Sequence, residues 1–233
     1  GNANAQCTTN VTAADNCYPK TITASSNFSA DTLKWYKNDT LVQTSFANAA
    51  NNGAIVAGGN GQGNGAGQFN FPNAIFVDDS MNVYVSDLSN HRVQKWAPNA
   101  TAGITVAGGN GNGNGLNQLN FPTGMYRDMA GNIYVCEAMN HRVTKWVPNA
   151  TAGIVVAGGN GNGSGSDQLS FPGGIFVKGN DIYIADAGNH RIQKWSQNAV
   201  NGVTVAGGNG WGAGLNQLML PQMNGGVFVD GSD

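Results

Sequence analysis

Hydrophobic and polar residues alternate in short runs along most of this chain, and the same runs return in the same order. One copy contains four such runs, at residues 124–128, 132–137, 142–146 and 154–157. Alternation with a period of two, bounded by Gly, Asn and Pro, predicts short β-strands. Since no run with helical spacing is longer than one turn, we predict an all-β chain.

A nearly constant interval separates the copies. Diglycines begin at Gly58, Gly108, Gly158 and Gly207, at intervals of 50, 50 and 49 residues. Four antiparallel strands in each of several copies near 50 residues predict a β-propeller, in which each four-stranded sheet is one blade. We place the repeats at about residues 53–102, 103–152, 153–201 and, in part, 202–233. Residues 1–18 are predicted to be an irregular segment.

The two ends of the chain are predicted to hold pieces of one further blade. The carboxyl terminus supplies a first strand at 226–230, and the amino terminus supplies later strands near 20–24, 32–36 and 54–57. We therefore predict four blades over residues 19–233, with the last completed by the N-terminal strands in 19–57. Two alternatives stay open here: a fragment of a longer chain, or strands exchanged between molecules, which would build a filament.

A three-residue motif recurs at the start of each third strand, and it carries a family resemblance. The motif is Asn90-His91-Arg92, Asn140-His141-Arg142 and Asn189-His190-Arg191. Together with its flanking residues, it resembles the signature of NHL repeats over about residues 53–230. The resemblance implies a propeller, usually six-bladed. It also implies one of several roles: RNA or protein binding, extracellular sensing or, in one branch, zinc-dependent lyase activity.

Composition and sequons favour a secreted protein. Only 10% of the residues are charged and the net charge is −2, which disfavours nucleic acid or an anionic membrane as a partner. No apolar run is long enough to span a bilayer. We predict an extracellular location with N-linked glycans, because six Asn-x-Ser/Thr sequons occur. They lie at Asn10, Asn27, Asn38, Asn99, Asn149 and Asn162.

The three cysteines have different predicted roles. Cys7 and Cys17 are ten residues apart in the irregular segment, and we predict a disulfide between them that adds about 2–3 kcal/mol. Cys136 stands where the sister repeats have Ser86 and Ala185. We therefore interpret it as a small packed side chain and not as a nucleophile.

The polar motifs are interpreted as structural. The three histidines occupy equivalent positions set by the repeat, so they are not expected to converge on one zinc ion. Each acid five residues before an arginine is predicted to form an ion pair that braces a hairpin. These pairs are Asp87 with Arg92, Glu137 with Arg142, and Asp186 with Arg191. The Gly-rich loops lack the Lys-Ser/Thr of phosphate-binding loops and are interpreted as turns with positive φ.

The sequence predicts a scaffold that binds other proteins or copies of itself, with no catalytic residue, cofactor or metal. The first alternative is the subunit of an extracellular filament completed strand-to-strand between molecules. The second is a metal-dependent propeller lyase or hydrolase, which a stoichiometric metal would support.

Overall fold

The structure, a computed structural model, describes residues 53–219 and 226–230 in full, together with the backbone of four strands nearer the amino terminus. The chain divides into two compact units, residues 1–54 with 230–233, and residues 55–229. Each unit is described by itself. No helix among the described residues is long and apolar enough to cross a membrane.

The first unit contains two antiparallel strand pairs. β1 (Thr8–Val11) pairs with β2 (Ile22–Ser25), and β3 (Thr32–Lys37) pairs with β4 (Thr40–Phe46). β1 lies within residues 1–18, which were predicted to be irregular, because β2 supplies it with a partner. The prediction of a strand at 54–57 is wrong, because residues 53–56 are not extended in any sheet. β3 takes its partner from the alternating run that follows it after only two residues, since a short connection closes a hairpin at low entropic cost.

The second unit is built from three four-stranded antiparallel sheets, which we call the first, second and third blades. In each blade the strands pair in sequence order. The strands of the first blade are β5 (Pro72–Val77), β6 (Val83–Asp87), β7 (Arg92–Trp96) and β8 (Ile104–Gly108). Those of the second are β9 (Pro122–Arg127), β10 (Ile133–Glu137), β11 (Arg142–Trp146) and β12 (Ile154–Gly158). Those of the third are β13 (Pro172–Lys178), β14 (Asp181–Asp186), β15 (Arg191–Ser196) and β16 (Val203–Gly207).

These blades confirm the predicted all-β propeller fold. In the second blade, the observed strands lie within two residues of the four predicted runs. A short 3-10 turn joins the second strand to the third in every blade, and it ends on a histidine in the left-handed region. The number of blades in the complete molecule stays a prediction.

Neighbouring blades pack through apolar side chains and through their first strands. One core joins the first two blades around Trp146, and another joins the second and third blades around Trp195. The Thr123 hydroxyl donates to the Pro172 carbonyl at 2.8 Å. A side chain at Gly124 would collide with the backbone of Gly173, which explains the glycine at this blade junction.

The segment 226–230 was predicted to be a first-type strand, and the structure corrects this. It is not assigned to a sheet, because no second-type strand among the described residues pairs with it. Phe228 nevertheless continues a row of edge-to-face rings, with its centroid 5.3 Å from that of Phe176. The row runs on through Tyr126 to Phe76, with one ring from the first strand of each blade. The segment therefore lies beside the third blade where a further first strand would begin.

Candidate protein-binding face

The recurring polar cluster sits where the second and third strands of a blade meet. The acid ends the second strand, the asparagine lies in the 3-10 turn, and the arginine begins the third strand. In the first blade, Asp87 and Arg92 face each other directly in the strand register. The left-handed backbone at His91, with φ of 54°, reverses the chain between them.

The acid and the arginine form a buried ion pair in each blade. The Arg92 Nε–Asp87 Oδ2 distance is 2.8 Å, and the equivalent distances are 2.9 Å in the second blade and 2.7 Å in the third. The asparagine of the motif also donates to the acid, as Asn90 does to Asp87 at 2.8 Å. A buried charge is tolerated when it is paired and fully hydrogen-bonded, and these clusters meet that condition.

The arginines also hold the Gly-rich loops, a role that the sequence did not indicate. In the first blade, Arg92 Nη1 donates to the Asn64 carbonyl at 2.8 Å, and Nη2 donates to the Gly65 carbonyl at 2.9 Å. Arg142 and Arg191 repeat these bonds to the loops that precede their own blades. We call this arrangement the arginine clamp. Its only sequence signal is the similar spacing, 26 to 28 residues, between the loop carbonyls and the arginine in each blade.

Each Gly-rich loop is also ordered from within. In the second loop, Gln118 Nε2 donates to the Asn110 carbonyl at 3.0 Å, and Gln118 Oε1 accepts from the Gly115 amide at 3.3 Å. Gly108, Gly109 and Gly111 have positive φ, as the sequence predicted for glycines in these turns. The loops therefore present an ordered surface that is rich in exposed amide side chains. We call this surface the loop face.

The histidines connect one blade to the next. His91 Nδ1 accepts from the Phe121 amide at 3.3 Å, and the two rings meet edge to face. His141 makes the same contacts with Phe171. Burial lowers the pKa of both histidines, with partial opposition from Asp87 and Asp186 respectively. In the described part of the chain, no group of three or more His, Cys, Asp or Glu could hold a metal ion.

The second blade differs from its sisters in this cluster. Burial raises the pKa of Glu137, against the opposing effect of hydrogen bonds from Arg142, Asn140 and Thr144. Cys136 is fully buried, and burial raises the pKa of its thiol. It is a free thiol, packed near the Gly174 carbonyl. Its surroundings match the packing role that the sequence indicated.

The sequons fall in different places. Asn99 and Asn149 are exposed in the turns between third and fourth strands, with φ of 61° and 63°. Asn162 is exposed on the loop face. Asn10 lies in β1. The other sequons and the two cysteines proposed as a disulfide lie outside the described residues: Asn27, Asn38, Cys7 and Cys17.

Comparison with known proteins gives a family match and several structural likenesses. A model of the NHL repeat matches residues 169–195, which run from the end of the third Gly-rich loop to Trp195. No curated protein sequence matches the chain.

Several solved structures resemble this chain at low sequence identity. An auxiliary nutrient binding protein from Bacteroides thetaiotaomicron has a TM-score of 0.43 at 19% identity, over 52% of this chain and 36% of that one. A nidogen/laminin complex has a TM-score of 0.45 at 15% identity, over 78% and 57%. A protein of unknown function from the same Bacteroides species has a TM-score of 0.47 at 18% identity, over 76% and 44%. The chain thus spans about a third to just over half of the lengths of these structures.

Proposed function

We propose, on the premise that the chain belongs to the NHL-repeat β-propeller proteins, that it is an extracellular, N-glycosylated scaffold that binds other proteins without catalysis. The proposal rests on the observation that the recurring charged groups are bonded to other groups of the protein. Each buried acid, each motif arginine and both of the histidines with described partners are engaged in bonds inside a blade or between blades. Catalytic groups need access to a substrate, and these groups lack it.

The loop face supports a binding role. Its exposed positions carry asparagine and glutamine side chains, which offer both donors and acceptors to a partner. Gln62, Asn64, Asn112 and Asn114 are examples. Because the arginine clamp and the loop glutamines already fix the backbone, a partner would lose little entropy in ordering these loops.

Site-specific cross-linking tests this assignment. A photo-reactive residue at Asn114 samples the loop face, and one at Met129, which is 97% exposed in the turn between β9 and β10, samples a surface outside the Gly-rich loops. In extracellular fluid from the source organism, we expect a discrete protein adduct from position 114 and none from position 129. Equal adducts from the two positions would show that the loop face is not selective.

Glycosylation and secretion are tested together. We expect glycans at Asn99 and Asn149, since both sequons occupy exposed turns where a bulky group meets no neighbouring strand. The chain should be expressed through a eukaryotic secretory pathway, and its intact mass measured before and after glycosidase treatment. Absence of a mass shift, with Asn99→Gln and Asn149→Gln chains as references, would mean that the sequons act only as turn residues.

The alternative function, that of a metal-dependent lyase or hydrolase, is tested by metal analysis. Elemental analysis of the protein, purified without chelators, should find less than one metal ion per chain. A stoichiometric ion that survives dialysis would favour a metal-dependent lyase or hydrolase over the scaffold. Sedimentation velocity over a range of concentrations tests the filament alternative, for which the expected sign is a growing series of polymers.

A further inference from the structure

The Gly-rich loops are dense in a dipeptide that can modify itself. In an Asn-Gly pair, the backbone nitrogen of glycine can attack the side-chain carbonyl carbon of asparagine, because glycine has no side chain to hinder the approach. The described residues hold nine such pairs, which begin at Asn60, Asn64, Asn110, Asn112, Asn114, Asn160, Asn162, Asn201 and Asn209. All but Asn201 also follow a glycine. Since eight pairs have the same neighbours in sequence, differences in their reactivity must come from the fold.

The first asparagine of each loop is held by its side chain. Asn110 Nδ2 donates to the Asn117 carbonyl at 2.9 Å, and Asn60 Nδ2 donates to the Gly67 carbonyl at 3.2 Å. The side chains of the other two first-position asparagines are bonded across their loops as well: Asn160 and Asn209. A side-chain amide must turn towards the backbone nitrogen to react, so these hydrogen bonds oppose the reaction.

The third asparagine is protected at the attacking nitrogen. In the second loop, the Gly115 amide donates to Gln118 Oε1 at 3.3 Å. The nitrogen must give up its proton to attack, and a hydrogen bond that holds this proton makes the loss more costly. The arginine clamp also fixes the Asn114 carbonyl, which accepts from Arg142 at 2.8 Å. The first loop repeats both bonds.

The second asparagine of the second loop has neither kind of protection. Asn112 is exposed, and its side-chain amide makes no hydrogen bond within the described part of the chain. In the third loop, the Gly163 amide donates to the Leu169 carbonyl at 3.3 Å, but among the described residues Gly113 makes no hydrogen bond as short as this. Asn162 is, in addition, a predicted glycosylation site. Asn112 therefore has the fewest restraints on the two atoms that would react.

From these differences we propose that Asn112 is a site of spontaneous modification, at which the side-chain amide is converted to a carboxylate. The Gly113 nitrogen attacks Asn112 Cγ, the Cγ–Nδ2 bond breaks, and ammonia leaves with the proton of the attacking nitrogen. Water then opens the resulting cyclic imide by adding to one of its two carbonyl carbons. Opening at the side-chain carbonyl gives aspartate, and opening at the main-chain carbonyl gives isoaspartate.

The product changes the chemistry of the loop face. Asp167 is the only charged residue of the four Gly-rich loops, so a carboxylate at position 112 adds negative charge to a surface of neutral amides. Isoaspartate also adds a methylene group to the main chain, two residues before the carbonyl that Arg142 holds. The effect on partner binding rests on the proposed function of the loop face, whereas the reaction itself does not.

Peptide mapping by mass spectrometry tests the assignment on the full chain. The protein is incubated in mildly alkaline buffer, and fragment spectra locate each amide that becomes a carboxylate. In the native chain, Asn112 should react about tenfold faster than Asn64 and Asn114, because each of these must lose one hydrogen bond to react. In urea, the eight pairs with the same neighbours should react at similar rates. Equal native rates at Asn112 and Asn114 would overturn the proposal, and so would a native ranking that persists in urea.

Two variants of the full chain form a matched pair. Gln118→Ala removes the acceptor of the Gly115 amide and should raise the rate at Asn114 about tenfold, with no change at Asn64. Gln68→Ala should have the converse effect, on Asn64 and not on Asn114. An unchanged rate at Asn114 in the Gln118→Ala chain would mean that the loop hydrogen bonds do not control the reaction, and the proposal would fall. None of these rates depends on a binding partner, so cross-linking at position 114 tests the scaffold separately.

Discussion

Two contacting residues of the second blade differ from their counterparts in the first blade, and we expect their contributions to stability to be coupled. Glu137 and Thr144 stand where the first blade has Asp87 and Gln94. Thr144 Oγ1 donates to Glu137 Oε1 at 2.9 Å and accepts from Trp146 Nε1 at 3.1 Å. The longer acid and the shorter neighbour fill one buried space together, since both are 0% exposed. We therefore expect the double exchange to cost less free energy of unfolding than the sum of the two single exchanges.

The magnitudes follow from the contacts. Glu137→Asp removes one buried methylene and a hydrogen bond to a carboxylate, for a cost of about 2 kcal/mol in the free energy of unfolding. Thr144→Gln overfills the site and removes the acceptor of the Trp146 indole, for about 2–3 kcal/mol. The double variant recreates the side chains of the first and third blades. It should cost only about 2 kcal/mol in total, so the coupling energy is about 2–3 kcal/mol.

Equilibrium unfolding in urea, followed by tryptophan fluorescence, measures all four corners of this cycle. The third blade supplies a reverse control. There Asp186→Glu and Gln193→Thr should each destabilise the fold alone and compensate when combined. Additivity within about 0.5 kcal/mol in the second blade would refute the reasoning, because it would mean that the two side chains do not share one space.

Three further changes test the rest of the cluster. Arg142→Lys should lower the unfolding free energy by about 2–4 kcal/mol in urea titrations, whereas Lys145→Arg, on the blade surface, should change it by less than about 0.5 kcal/mol. Because the pKa values of His91 and His141 are lowered on folding, their neutral forms stabilise the protein. That stability is present above about pH 6.5 and is lost as the pH falls. Replacing both histidines with asparagine should therefore make the melting temperature less dependent on pH between pH 7.5 and 5. Cys136 should resist iodoacetamide in the native protein and react only after unfolding, as mass spectrometry of the peptides would show.

The blades could be predicted from the sequence because their signals are local. A run such as 132–137 contains four consecutive apolar residues, from Ile133 to Cys136, and turn residues bound it on each side. Both faces of this strand are buried, since Ile133 and Val135 pack with the first blade and Tyr134 and Cys136 pack with the third. A one-residue slip would exchange the two sets, which fixes the register. The ion pairs follow as well, because an acid and an arginine five residues apart across a tight turn face each other.

The N-terminal strands predicted near 20–24 and 32–36 are present as β2 and β3, but those predicted at 54–57 and 226–230 could not be decided from local signals. Residues 54–57 and 226–230 both contain the short apolar runs that are typical of strands, but a strand exists only where a partner supplies its backbone hydrogen bonds. At the amino terminus, β4 lies closer in sequence to β3 than residues 54–57 do, and it pairs there instead. The sequence pattern shows that a segment can form a strand, and competition between possible partner strands decides whether it does.

The arginine clamp was missed for a different physical reason. Its acceptors are backbone carbonyls, which every residue carries, so neither Asn64 nor Gly65 leaves a mark in the sequence as a ligand of arginine. The glycines of the loop were correctly taken as turn residues. The sequence pattern gave no sign that the carbonyl groups of the loop accept hydrogen bonds from the arginine guanidinium of the blade that follows.

This use of charge bears on the choice between scaffold and enzyme. A chain with only 10% charged residues places three arginines and three acids in buried clamps that recur in all three blades, with a glutamate in place of the aspartate in the second. An active site needs a few unlike groups that converge on one point, and a clamp that recurs once in each blade distributes like groups around several points. At the surface the repeat varies in the Gly-rich loops, from Gln62 through Asn112 and Asn162 to Trp211, and also in the turn between the first and second strands, where Met129 lies. Variable side chains on an invariant, hydrogen-bonded frame are suited to recognising a partner, because the frame fixes their positions while their identities set the specificity.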